Sequence, residues 1–341
     1  MRTIIRSATI ITMDDALGDF AEADVLIERD RIVEMAIERD GDAIRAGAIM
    51  PARLTRKADA SGRGLATLAD GSTVQLAPVP GGMTEGSPLL VEITREALPE
   101  AGATKPPRAR LAPAGAQPGS GPDLRARIAA TGVAVRVIGN GSDLLEPYGW
   151  SEALEEATSG IVARPEALLR IALTPAMTLI DVDGSGKATE LALAGARLAA
   201  ETIRRFDIAG SIGIDLPTVA AKAERQAAAI ALDAVLPPPF ERATVNGFGF
   251  LHIVRRRTRP SLMEAIAADP VGAAAMALLR RAERASGRGG LTLHVHPRVA
   301  ARLAARPDWL DALGRRVGAA IGLHEDAALA ISAGHASRTH P

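Results

Sequence analysis

Two apolar runs that each end in an aspartate, with a helix-length segment between them, constrain this chain more than any other feature. The first is Ile171-Ala-Leu-Thr-Pro-Ala-Met-Thr-Leu-Ile180, closing into Asp181-Val-Asp183-Gly-Ser-Gly186. The second is Ile208-Ala-Gly-Ser-Ile-Gly-Ile214, closing into Asp215-Leu-Pro217. Thr189 to Phe206 reads as the intervening helix, with Leu191, Leu193, Leu198, Ile203 and Phe206 as its larger apolar residues. A strand–helix–strand unit makes its strands parallel, because no short hairpin reverses the chain here. Both aspartates then leave the same edge of one sheet, at the carboxyl ends where open α/β sheets bind ligands. Neighbouring strands lie only about 5 Å apart, so one hard divalent cation is within reach of both carboxylates.

The rest of the chain is compatible with a globular protein of mixed α/β (α+β) class. Its 341 residues suffice for two or three domains with buried cores. No apolar segment approaches the ~20 residues a membrane helix needs. The start, Met1-Arg-Thr-Ile-Ile-Arg-Ser, is followed by Asp14 and Asp15 and lacks a signal-peptide core. The expectation is a cytoplasmic protein with no membrane partner. Cysteine is absent, which excludes disulfides, thiolate zinc sites and a cysteine nucleophile, so no structural zinc is expected. The net charge is zero and gives no global field for nucleic acid. Locally, however, Arg255-Arg-Arg257-Thr-Arg259 is dense in positive charge.

Residues 1–45 alternate as short strands at Thr3-Ile-Ile, Thr9-Ile-Ile-Thr and Asp24-Val-Leu-Ile. This opening resembles the small β leader of amidohydrolases, but the His-x-His pair of that family appears nowhere before His294. Residues 46–100 predict a compact OB-like β-barrel module, with strands at Ile49–Leu54, Gly64–Leu68, Ser72–Leu76 and Leu89–Ile93. Residues 101–123 read as a flexible Pro/Gly/Ala linker. Beyond it, 124–170 carries a helix at Leu124–Ala130, a strand at Ala134–Ile138 and a helix at Ser151–Thr158. Segment 171–262 holds the aspartate unit, a helix at Thr218–Leu232 and a strand at Gly247–Val254. Segment 263–341 reads as a small α/β domain with a helix over 262–285, a strand over 291–295 and a helix over 298–317.

Several readings compete for Asp181-Val-Asp-Gly-Ser-Gly186. It starts like a calcium loop, but the twelfth position is Ala192 where a bidentate glutamate is required. Gly184-Ser-Gly-Lys187 suggests a phosphate loop, but Asp181 occupies the place of its first glycine. An Asp/Gly turn capping the next helix remains open, as does a helix N-cap role for Asp215 before Pro217. The functional alternative is a carboxylate site for Mg²⁺ or Mn²⁺, which keep several waters and grip phosphate oxygens. The arginines are either a solvated basic face or a phosphodiester contact, since guanidinium forks match phosphate oxygens. His294-Val-His296 shows no third metal ligand and reads as structural. His252 is either buried or site-lining.

Taken together, these segments resemble the catalytic part of the ribonuclease E/G family. The likeness rests on Thr174-Pro-Ala-Met-Thr-Leu-Ile-Asp181-Val-Asp-Gly-Ser-Gly, on Asp207-Ile-Ala-Gly-Ser-Ile-Gly-Ile-Asp215 after an alanine-rich helix, and on Phe248-Gly-Phe-Leu-His-Ile-Val-Arg255-Arg-Arg-Thr-Arg-Pro-Ser-Leu262. The resemblance implies a hydrolytic endoribonuclease with an OB-fold RNA-binding module and an RNase H-like plus DNase I-like core. Residues 1–45 and 124–170 would form the RNase H-like part and 171–262 the DNase I-like domain. Asp181 and Asp215 would hold magnesium, Asp183 would stand where the family has asparagine, and Arg255, Arg257 and Arg259 would meet single-stranded RNA. The products would be 5′-phosphate and 3′-hydroxyl ends. His252 replaces a family glutamate, and residues 46–96 contain no aromatic residue for base stacking. The cysteines that link subunits through zinc are missing, so any homodimer would rely on side-chain packing.

Overall fold

The computed structural model describes residues 7–11, 22–28, 31–38, 44–100, 103–130, 135–137 and 145–340. The expected strand at Thr3–Ile5 and both ends of the expected 134–138 strand lie outside them. The chain opens with three antiparallel strands, β1 (Ser7–Ile11), β2 (Glu22–Glu28) and β3 (Arg31–Glu38). It then builds a closed barrel from β4 (Ile49–Arg56), β5 (Gly64–Leu68), β6 (Thr73–Leu76), β7 (Pro88–Arg95) and, after the β8–β9 hairpin (Leu98–Glu100, Ala103–Lys105), β10 (Arg108–Leu111). Alternate residues of these strands point inward, and Leu54, Ala66, Val74, Leu76, Val91, Ile93 and Ala109 fill the interior.

The stretch read as a flexible linker, 101–123, is therefore part of the barrel. Its β10 pairs parallel with β6 and antiparallel with β7, closing the cylinder. Arg110 donates to both carboxylate oxygens of Glu92 across that seam, at 2.9 and 3.0 Å. Proline and glycine dominate the residues around the strand and hide it, and of Arg-Ala-Arg-Leu itself only Ala109 is buried.

After α1 (Leu124–Ala129), strand β11 (Val135–Val137) returns to pair parallel with β1. Helix α2 (Trp150–Ser159) leads into a six-stranded mixed sheet. Its strands are β12 (Ile161–Arg164), β13 (Ala167–Leu173), β14 (Thr178–Asp183), β15 (Gly210–Asp215), β16 (Glu241–Arg242) and β17 (Phe250–Arg255), in the order β12-β13-β14-β15-β17-β16. Helix α3 (Ala188–Arg205) connects β14 to β15, and α4 (Lys222–Asp233) follows β15. The run Ile171–Ile180 is not one strand. It folds back at Thr174-Pro175, where the Thr174 hydroxyl donates to the Met177 carbonyl at 2.6 Å, and β13 and β14 become an antiparallel hairpin. The sheet begins at Ile161, so a boundary at 170/171 would cut through it. One hydrophobic core joins Ile32 and Met35 of β3 to this sheet, α2, α3 and α5 (Leu262–Ala268).

The helix expected over 262–285 is broken. Asp269 caps α6 (Pro270–Glu283) by accepting from the Gly272 N–H at 2.9 Å, and Pro270 cannot continue α5, so the pair bends by 106°. A second break at Arg306-Pro307 divides the next expected helix into α7 (Pro297–Ala304) and α8 (Pro307–Val317). These pack with α6 on a three-stranded sheet of β18 (Arg288–Val295), β19 (Ile321–Glu325) and β20 (His335–His340), around a separate core. Among the described residues no single helix is long and apolar enough to cross a membrane.

Candidate metal and nucleic-acid site

The two aspartates of the opening motif are direct partners. β14 and β15 run parallel, and Asp181 is registered opposite Asp215, with backbones about 4.8 Å apart. The strand pattern explains which way they face. In β14, Thr178, Ile180 and Val182 are buried, while Leu179, Asp181 and Asp183 are exposed. Val182 packs on α3 at Gly195, where an added Cβ would lie 2.3 Å from its Cγ1. The helix layer thus covers one side of the sheet, and both carboxylates stand on the other, open side. Asp215 is no helix cap, because α4 begins only at Lys222.

Neither Asp181 nor Asp215 has a hydrogen-bond or ion-pair partner among the described residues. Asp183 differs: its Oδ2 accepts from Arg170 Nη1 at 2.8 Å, one strand away. Arg170 is the cross-strand partner of Asp181, yet its guanidinium is turned to Asp183. No group of three or more histidine, aspartate or glutamate side chains is gathered to hold an ion among the described residues. The site therefore offers two protein carboxylates facing water. This donor set fits Mg²⁺ or Mn²⁺, which bind through one or two carboxylates and retain waters, better than a cation that needs a full protein cage.

The arginine cluster sits elsewhere. Arg255 is registered opposite Gly210, at the other end of β15 from Asp215, which faces Phe250. Five residue steps along the strand separate the two positions, about 16 Å. Three of the guanidiniums are already engaged inside the molecule. Arg255 Nη1 donates to the Ile208 carbonyl at 2.7 Å, Arg257 pairs with Glu264, and Arg259 reaches Asp207 at 2.9 Å. Arg256 is exposed. The barrel docks here, with the Glu96 N–H donating to the Thr258 carbonyl at 2.8 Å. Burial pushes the Glu96 carboxyl above its usual value, and burial first, then Arg108 and Arg257, lowers Arg95 to about 10.

Around the aspartates lie Phe250, Leu179 and Ser211, to which the sequence assigned no role, together with His252, which reads from the sequence as either buried or site-lining. The Phe250 ring lies across Gly213: a Cβ there would be 2.5 Å from Phe250 Cζ and 3.0 Å from Leu179 Cδ2. Beside it, Ser211 Oγ and His252 Nε2 are hydrogen-bonded at 2.7 Å, which places His252 on the site face. The loop before β17 projects Phe248 into solvent, 82% exposed. That loop is held firmly. Asn246 Oδ1 accepts from the Phe248 and Phe250 N–H groups at 2.9 and 3.0 Å, and the Gly249 N–H donates to the Asn246 carbonyl at 3.2 Å. Thr218 Oγ1 donates to the Phe248 carbonyl at 3.1 Å, and the Leu216 N–H donates to the Gly249 carbonyl at 3.2 Å. Gly249 has φ +95°, and a Cβ there would lie 2.1 Å from the Leu216 carbonyl oxygen, so only glycine fits. The available signal was the Phe-Gly-Phe triplet itself, in a chain with only 2% aromatic residues.

No protein-family model matches the sequence, and no curated protein matches it at a significant level.

Proposed function

We propose that the protein is a divalent-metal-dependent endoribonuclease that hydrolyses single-stranded RNA to 5′-phosphate and 3′-hydroxyl ends, built on an RNase H-like and DNase I-like core. The observation that carries this reading is the registered, unpaired Asp181–Asp215 couple on the open face of the sheet. Two like charges side by side, with the cross-strand neighbour Arg170 paired to Asp183 instead, are arranged for a cation from solution. When bound there, Mg²⁺ or Mn²⁺ supplies an activated water and neutralises charge building on a phosphoryl group. The chain itself positions the two carboxylates through the rigid β14–β15 ladder. Arg170 restrains Asp183 at the edge of the site, where Asp183 serves as a supporting group.

The test is cleavage of a single-stranded, AU-rich RNA with Mg²⁺ by the wild type, Asp181→Asn and Asp215→Asn. Loss of at least about 100-fold in each variant is expected, the scale of a removed charge-stabilising group. Equal rates in all three proteins would remove the carboxylates from catalysis.

A second reading is a non-catalytic RNA- or ribosome-associated protein with the same fold. It is favoured by the internal pairing of Arg255, Arg257 and Arg259 and by the absence of aromatic residues from 46–96. Calorimetric titration with Mg²⁺ and Mn²⁺ separates the two, because only the nuclease needs a bound cation.

A further inference from the structure

We infer that Phe248 is a stacking platform for a base that flanks the scissile phosphodiester, an inference that rests on the RNA-cleaving role proposed for Asp181 and Asp215. Three observations support it. Phe248 is 82% exposed, the most exposed of the large hydrophobic residues among those described. A scattered apolar residue on a surface is ordinary, but this one is presented by a loop whose backbone groups are hydrogen-bonded to Asn246, Thr218 and the Leu216 segment, with a glycine that admits no side chain. A ring carried on backbone held in this way loses only side-chain freedom when a flat partner settles on it.

The second observation is position. Phe250 is the cross-strand partner of Asp215, and Phe248 lies two residues ahead of it, beside the carboxyl end of β15. Phe248 therefore stands at the same edge of the sheet as the two carboxylates. The third is an apolar floor two residues inward of Asp215 on the same strand. The Phe250 ring and Leu179, 38% exposed, meet over Gly213 on the open face. A strand whose phosphate reaches Asp181 and Asp215 has its neighbouring base within reach of Phe248. Every base offers a π-face, so the contact recognises single strands with little sequence preference. It also supplies, at the carboxylate edge, the aromatic surface that residues 46–96 lack.

The experiment compares wild type, Phe248→Ala and Phe248→Tyr on a single-stranded oligoribonucleotide with Mg²⁺, and on copies with one abasic nucleotide at successive positions around the cleavage point. Phe248→Ala should raise KM about 10-fold with kcat changed less than about 2-fold, and Phe248→Tyr should restore wild-type values. Removing the base beside the scissile bond should cost the wild type about the same factor and cost Phe248→Ala nothing further. Equal KM for wild type and Phe248→Ala, or losses that simply multiply, would overturn the stacking role while leaving the nuclease intact. Binding of a fluorescently labelled oligonucleotide is measured in parallel with Asp215→Asn and Asp215→Asn/Phe248→Ala. A 10-fold difference there upholds stacking even if cleavage is absent, whereas no RNA binding by wild type or Asp215→Asn overturns both readings together.

Discussion

Asp215 and His294 both stand on strand faces open to water, yet their neighbours set them very different tasks. His294 of β18 lies in register between His324 and His335. Its ring is stacked on His335 at 4.6 Å between centroids and edge-on to His324 at 5.1 Å, and its Nε2 is 2.9 Å from Ser337 Oγ. Burial first, then His335 and His324, hold its pKa below the ordinary 6.5, while Asp326 pulls the other way. The folded state thus resists the proton that the unfolded chain accepts near pH 6.5. Stability from this group is intact above that pH and is lost as pH falls through 6.5 toward the lower folded value. The thermal midpoint should fall on acidification from pH 7.5 to 5, and fall less in His294→Gln. An identical fall in both proteins would assign the acid sensitivity to other groups. His296, which the sequence pairs with His294, has a separate job: its Nδ1 accepts from the Arg298 N–H at 3.1 Å and caps α7.

At the scale of elements, the open face of the large sheet exists because α3 is matched so closely to the other one. Ala192, Ala196, Ala199 and Ala200 keep the buried side of α3 thin, and Gly195 lets Val182 seat against it. Gly195→Val should force the helix off β14, costing about 1–3 kcal/mol by overpacking and shifting the Asp181–Asp215 ladder. Chemical denaturation together with Mg²⁺ affinity would measure both effects, and unchanged stability would mean that α3 has room to move. This helix and its two flanking strands were legible in the sequence, because apolar runs ending in aspartate on either side of a helix-length segment admit few arrangements. Four barrel strands were legible from their alternation. The β13–β14 hairpin was not, since apolar residues continue through its turn and only Thr174-Pro175 marks it. Strands β19 and β20 escaped notice because Gly322, His324, His335 and Ser337 make them too polar for an alternation rule. The same polarity concealed the histidine row, whose members meet only once those strands pair. The aspartate couple was readable from spacing, whereas the engagement of the arginines with Asp207 and Glu264 depends on how β15, α5 and the end of β17 come together.

For the whole molecule, the path of the chain past the barrel matters most. The first sheet is left after β3 and rejoined at β11, which pairs with β1. Entry and exit of the barrel are zipped together: Ile49 and Gly119 exchange two backbone hydrogen bonds at 2.9 Å, and a Cβ on Gly121 would lie 2.7 Å from the Ala48 nitrogen. Just outside, Glu38 accepts from the Leu124 N–H at 2.6 Å and from Arg45 and Arg127 at 3.0 and 3.2 Å. The barrel also has its own core, separate from the other two. A fragment spanning 46–122 should therefore keep the barrel's dispersed amide NMR spectrum, and a random-coil spectrum would show that it needs the rest of the chain.

The zipped ends also have a kinetic meaning. Joining β1 to β11 from an unfolded chain requires Ala8 to find Val135 across the whole intervening segment. If the barrel forms first, its neck brings the flanks together and the search spans only the short arms on either side. Each halving of the effective loop lowers the closure cost by about 0.6 kcal/mol. The closed barrel, whatever it binds, then acts as a molecular clasp that lets a discontinuous sheet assemble as though its sequence were continuous.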